Sequence, residues 1–217
     1  MIRSATVGAV LAAIATITIL GTLVATAAPA AAHHVGAYVP RDNEISANFK
    51  QIKFSVQAGK FDVARKLFEQ GALRRELRRE AATLPPGLET SIQHALSAGD
   101  ARAAETGLMV FFAALVRDLA LEADRRLADA QAPPAARVAS AGKILEAIWR
   151  YYNLVDFAVS QRDPKAATAV RLAFEEAEGS VKAPTPAPEQ VRPPLTRIAR
   201  VLAGVIDATS PSARRAS

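Results

Sequence analysis

The chain has 217 residues, half of them hydrophobic, which is enough to bury one good core and makes one folded domain the expectation. It contains no cysteine, so disulfides, thiolate metal sites, cysteine nucleophiles and covalently attached haem are closed. The formal charge of +6 is unevenly placed: Arg3 lies in the leader, the stretch from Lys182 onward carries six basic residues against Glu189 and Asp207, and the body from His33 to Val181 holds 20 basic and 19 acidic residues. A body so balanced offers no electrostatic footprint for a phosphate backbone, and no nucleic-acid partner is expected.

Residues 1–32 read as a secretory signal peptide. Arg3 supplies the positive start, Val7 to Val24 the apolar run, and Ala30-Ala31-Ala32 a small-residue cleavage site. The expected location is the periplasm or the exterior. A run of about 18 apolar residues also suffices, marginally, as a retained anchor, so membrane contact is expected only through an uncleaved leader or the C-terminal helix described below. Cleavage after Ala32 leaves His33 and His34 at the new terminus, where a free amine and an imidazole chelate Cu(II) in tetragonal geometry.

A helical domain is expected over 33–181. Gly36 and Pro40 keep VGAYVPR out of a helix, and Asp42 or Asn43 caps a first helix with Ile45, Phe49, Ile52, Phe54 and Val56 on its apolar face. Gly59 ends it. A second helix begins near Phe61, with Val63, Ala64, Leu67 and Phe68, and continues past Gly71 into ALRRELRREAA. There Arg74, Arg75, Arg78 and Arg79 alternate with Glu76 and Glu80, either as a solvated face or as a docking strip for an acidic partner. Pro85-Pro86-Gly87 breaks the chain, and LETSIQHALSAG gives a short helix carrying His94 and stopping at Gly99.

Asp100 caps a long helix reaching about Asp129, in which Phe111, Leu115, Asp118 and Glu122 fall in one line at helical spacing. Pro133-Pro134 then leads into the stretch from Arg137 to Val159, which holds the sole Trp and two of the three Tyr. Leu145, Ile148, Trp149, Tyr152, Val155 and Val159 recur there by threes and fours, so this helix is expected at the centre of the bundle. Asp156, four residues after Tyr152, sits beside that aromatic face and needs a partner: a tyrosine hydroxyl, an arginine, or a metal ion shared with carboxylates of another helix. Asp163 and Pro164 reset the chain into a further helix with Val170, Leu172, Ala173 and Phe174 inward and Glu175, Glu176 and Glu178 near its end, where negative charge opposes the dipole and fraying is expected. The prolines of residues 182–194 predict an extended linker, residues 195–209 an amphipathic C-terminal helix tethered outside the bundle, which either folds back on it or waits for a partner or an anionic membrane surface, and residues 210–217 a disordered tail. The fold expected is all-α, an up-down bundle of five to six helices.

The stretch LEAIWRYYNLVDFAVSQRDPKAATAVRLAFEEAEGSV, a helix with paired tyrosines, an Arg-Asp-Pro reset and a second helix ending in acids, resembles the periplasmic helical domains found with FTR1-type iron permeases and, more distantly, imelysin-like proteins. The resemblance implies extracytoplasmic metal handling. It carries no site residue over: Arg75-Glu76 is followed by Leu77-Arg78-Arg79-Glu80, one residue too long for the permeases' Arg-Glu-x-x-Glu, and His94 has Ser97 where the imelysin motif has Glu.

Three function classes follow. The first is a non-catalytic accessory of the cell envelope that binds an envelope protein partner through its arginine strip or its C-terminal helix. The second is a metal binder, with His33 and His34, alone or joined by His94, suiting copper, or Asp118, Glu122, Tyr152 and Asp156 suiting iron. An enzyme is not expected, since no nucleophile or oxyanion site accompanies the paired carboxylates.

Overall fold

The computed structural model describes residues 41–209, and these are all-α. Among them are eight helices, more than the five to six expected. The first is α1 (Glu44–Gln57), started by a reciprocal cap: the Asn43 side chain accepts the Ser46 N–H at 2.9 Å, and the Ser46 hydroxyl accepts the Asn43 N–H at 2.9 Å. Phe49, Ile52 and Val56 are buried, but Phe54 is 69% exposed. Two residues beyond Ile52 on a 3.6-residue helix is a turn of about 200°, which aims Phe54 away from the core despite its hydrophobicity.

The single helix expected from Phe61 through the arginine run is two, α2 (Phe61–Gln70) and α3 (Ala72–Arg79). Gly71 between them is extended, and the Asn48 side chain of α1 occupies the break: Nδ2 donates to the Leu67 carbonyl at 3.1 Å and Oδ1 accepts the Leu73 N–H at 3.0 Å. Asn48 thus satisfies a free carbonyl of one helix and a free amide of the next. A Cβ at Gly71 would lie 2.0 Å from that same Oδ1, so glycine is required by space rather than by backbone angle. Then α4 (Leu88–Ala98) runs between Gly87 and Gly99, both left-handed with φ of 75° and 70°.

Four long helices complete the domain: α5 (Ala101–Ala128), α6 (Pro134–Arg162), α7 (Pro164–Val181) and α8 (Pro188–Thr209). They close a ring in which α5 packs on α6 and α8, and α7 packs on the same two. Asp100 and Asp163 cap α5 and α7, accepting the Ala103 and Ala166 N–H groups at 2.9 Å each. The central helix is α5, not α6 as its aromatics suggested: Gly107 to Val116 is buried without interruption, because α4, α6 and α8 all pack on it and leave no face of that run to solvent. Gly107 shows how closely, since a Cβ there would meet Ile92 of α4 at 2.5 Å. Along α6, Trp149 stacks on Phe174 of α7 at 4.4 Å, while Phe112 of α5 sits between Phe49 and Tyr151 at 4.8 and 5.7 Å.

Two expectations at the C-terminal end are corrected. The linker over 182–194 is shorter, because α8 begins at Pro188 and holds Pro193 and Pro194 inside the helix, and α8 lies in the bundle rather than outside it. An internal proline costs about 3 kcal/mol, but burying Val191, Leu195, Ile198, Leu202, Val205 and Ile206 returns about 1.5–3 kcal/mol each. The acidic end of α7 is helical through Val181, where Glu176 pairs with Arg197 at 2.7 Å and Glu178 with Lys182 at 2.6 Å, neutralising the charge expected to fray it. Leu172 of α7, expected inward, is 57% exposed. No helix among the described residues is long and apolar enough to cross a membrane.

Candidate functional site

The arginine strip on α3 is engaged by its own chain. Arg74 donates to Glu89 of α4 at 2.6 Å and Arg78 joins the same carboxylate at 3.1 Å, while Arg79 pairs with Glu76 and with Glu80, the latter at 3.0 Å. Arg75 reaches Glu44 of α1 at 3.6 Å. Burial tends to raise the Glu89 pKa, but the hydrogen bonds from Arg74 and Arg78 outweigh it and hold the carboxyl below its ordinary value. Glu76, buried on the inner side of the strip, is shifted the other way: desolvation raises its pKa, and Arg79 only partly opposes this. The strip is a staple joining α3 to α1 and α4.

The carboxylates are likewise distributed. Arg117 donates to Asp118 at 2.8 Å and to the Thr83 carbonyl at 2.7 Å; Glu122 takes Arg125 and Arg126, each at 2.7 Å. The arginine hydrogen bonds lower the Glu122 pKa. Asp156 forms a fork with Arg171 of α7 at 2.9 and 2.7 Å, the arginine option among the partners expected for it. Beside them the buried Tyr152 hydroxyl donates to the Ala167 carbonyl at 3.4 Å, and burial, then the Asp156 charge, push its pKa well above that of a free phenol. Of Asp118, Glu122, Asp156 and Tyr152, the fold sets Tyr152 beside Asp156, and among the described residues no three His, Cys, Asp or Glu side chains come together as a metal site. His94 is exposed on α4, and His33 and His34 lie outside the described residues.

What the fold does assemble is a groove between α1 and the facing ends of α5 and α6, with a volume of about 380 Å³. Phe49, Leu108, Met109 and Val155 form its floor, and Leu154 and Phe157 one wall. Phe157 is 70% exposed, an aromatic ring presented to solvent at a concave apolar surface. Lys53, Arg102 and Arg162 stand on the rim against one carboxylate, Glu105. Beside it, toward α4 and the last residue of α8, lies a second hollow of about 570 Å³ that shares Arg102, Thr106 and Arg162 and adds Ser91, Thr209 and the carboxylate of Asp100.

The side chains of Arg102 and Arg162 make no hydrogen bond or ion pair with any described residue, whereas the arginines of α3, Arg171 and Arg192 all hold carboxylates. Sequence reasoning missed them because sixty positions separate them, and only the packing of the start of α5 on the end of α6 makes them neighbours. One signal was legible: Arg102 follows the Asp100 cap in the first turn of a long helix, where the dipole disfavours a cation and gives it no stabilising role. No family model, curated protein or solved structure matches this chain.

Proposed function

We propose that this is an exported, non-catalytic binding protein of the cell envelope that acts by seating another protein in the groove of α1, α5 and α6. The leader composition, with Arg3, the apolar run from Val7 and the Ala30-Ala31-Ala32 site, supports export. The single observation behind the binding reading is that apolar floor, exposed Phe157 and two unpartnered arginines occupy one concavity. Phe, Met and Arg are the residue types enriched where proteins bind one another, and a concave apolar surface with few polar groups on its rim is the usual form of a binding site. The arginine strip, the original candidate surface, is spoken for internally and supports this reading less well.

The test compares pull-downs from envelope extract with the tagged full chain, a Phe157→Asp variant and a chain lacking residues 210–217. Loss of a specific protein partner with Phe157→Asp and retention with the shortened chain support the proposal. Retention with Phe157→Asp, or recovery of the protein only from the cytosol, overturns it.

A further inference from the structure

We infer that the groove's occupant is an acidic amphipathic helix of another protein, with its apolar face on Met109, Leu154 and Phe157 and its carboxylates on Arg102 and Arg162. This rests on the binding reading above and gives the partner its chemistry.

Charge is the first reason. The rim carries Lys53, Arg102 and Arg162 against Glu105. Lys53 leans over the Phe49 ring at 5.9 Å, while neither guanidinium makes a hydrogen bond or ion pair among the described residues; the neighbouring Asp100 carboxylate accepts the Ala103 N–H at 2.9 Å instead. An arginine fork matches a carboxylate in geometry as well as sign, and Arg102 sits at the positive end of α5, where an approaching anion is favoured twice. Complementary charge around an apolar centre sets register and orientation on the partner.

Shape is the second. The groove is lined from Arg102 to Met109 on α5 and from Leu154 to Arg162 on α6, stretches of eight and nine residues, so at 1.5 Å per step it runs for roughly 10–12 Å. That is two helical turns, the span over which a bound helix offers anchors at i, i+4 and i+7. It is neither an enclosed cavity nor a flat surface, which suits a helix that buries one face and keeps the other wet.

Segments of this chain fit less well. The residues after Thr209 carry Arg214 and Arg215 and no acid, the wrong sign for this rim. On α7 of a second copy, exposed Leu172 lies near Glu175 and Glu176, but Glu176 already holds Arg197 at 2.7 Å, leaving a single carboxylate for two arginines.

The experiment places the photo-crosslinker p-benzoylphenylalanine at position 157 of the full chain in living cells and identifies the linked peptide by mass spectrometry. The expected product is a segment of a different protein with acidic residues at helical spacing around an apolar face. Arg102→Glu with Arg162→Glu should lower its yield at least about tenfold, and replacing the partner's acids by arginine should restore it. Lys165→Glu, a charge reversal on the exposed start of α7, should leave the yield unchanged. Both arginines are exposed and unpaired, so thermal melts of the double variant should match the parent and exclude misfolding as the cause. A neutral or basic segment, a second copy of this chain, or a yield indifferent to charge reversal overturns the inference while leaving a binding groove. Labelling of lipid alone, or of nothing, overturns the proposed function with it.

Discussion

Replacing Gly71 by alanine tests how α1 is locked to α2 and α3. The extended backbone at Gly71, φ −86° and ψ 171°, is open to any residue, so the effect must come from space. The added methyl would sit 2.0 Å from Asn48 Oδ1 and 2.3 Å from the Leu67 carbonyl oxygen, and neither can yield alone because Asn48 is buried and hydrogen-bonded to both sides of the break. Expelling the amide removes two hydrogen bonds worth about 0.5–1.5 kcal/mol each and leaves buried backbone groups to be resatisfied at about 1–3 kcal/mol. The expected loss is about 3–4 kcal/mol, or a fall in Tm of roughly 10 °C for a domain of this size. Urea unfolding of the full chain followed by Trp149 fluorescence measures it. Asn48→Ala should cost about 2–3 kcal/mol, and the double variant clearly less than the sum, because both changes break one junction. A Gly71→Ala cost below about 1 kcal/mol, or strict additivity, would refute the reasoning.

The staple between α3 and α4 should be acid-labile. Glu89 titrates below its ordinary value of 4.5 in the folded chain, so the stability it contributes is present above that value and is lost as pH falls toward its folded-state pKa. Unfolding curves taken from pH 6 down to pH 3 should show a shallower loss for Glu89→Gln than for the parent. Glu76, raised by burial, acts with the opposite sign: its ionisation costs stability as pH climbs through the ordinary range, and Glu76→Gln should flatten that component without loss at neutral pH. Asp156→Ala strands Arg171 at the α6–α7 seam; both groups are partly exposed, so screening holds the expected cost to about 1 kcal/mol by denaturant midpoint. Removing residues 188–217 should abolish cooperative unfolding in calorimetry, since it strips one wall from the four-helix ring; a sharp transition would refute the placement of α8.

Signals carried within a few residues were legible in the sequence. Asn43, Asp100 and Asp163 cap helices because their side chains reach amides three positions on, and Gly99 ends α4 because it alone takes a left-handed turn there without strain. The aromatic seam of α6 and the all-α class followed from periodicity. What escaped depends on distant partners. The break at Gly71 needs Asn48, 23 positions earlier; the helix through Pro193 and Pro194 needs the faces of α5 and α7; Phe54 and Leu172 read as core by type but point outward by register. The candidate site was obscured in the same way, since the charged residues with conspicuous spacing proved internally paired, while Arg102 and Arg162 stood in unremarkable positions until packing joined them.

The position of α8 on α5 also fixes the order of events during synthesis. The apolar run from Gly107 to Val116 leaves the ribosome early, yet the helix that covers one of its faces ends at Thr209, about 80 residues after α5 is complete. At about 5–20 residues per second, that face waits roughly 4–16 s for its cover. In that interval α4 and α6 can pack on the other faces of α5, but the four-helix ring closes only when the last helix is made.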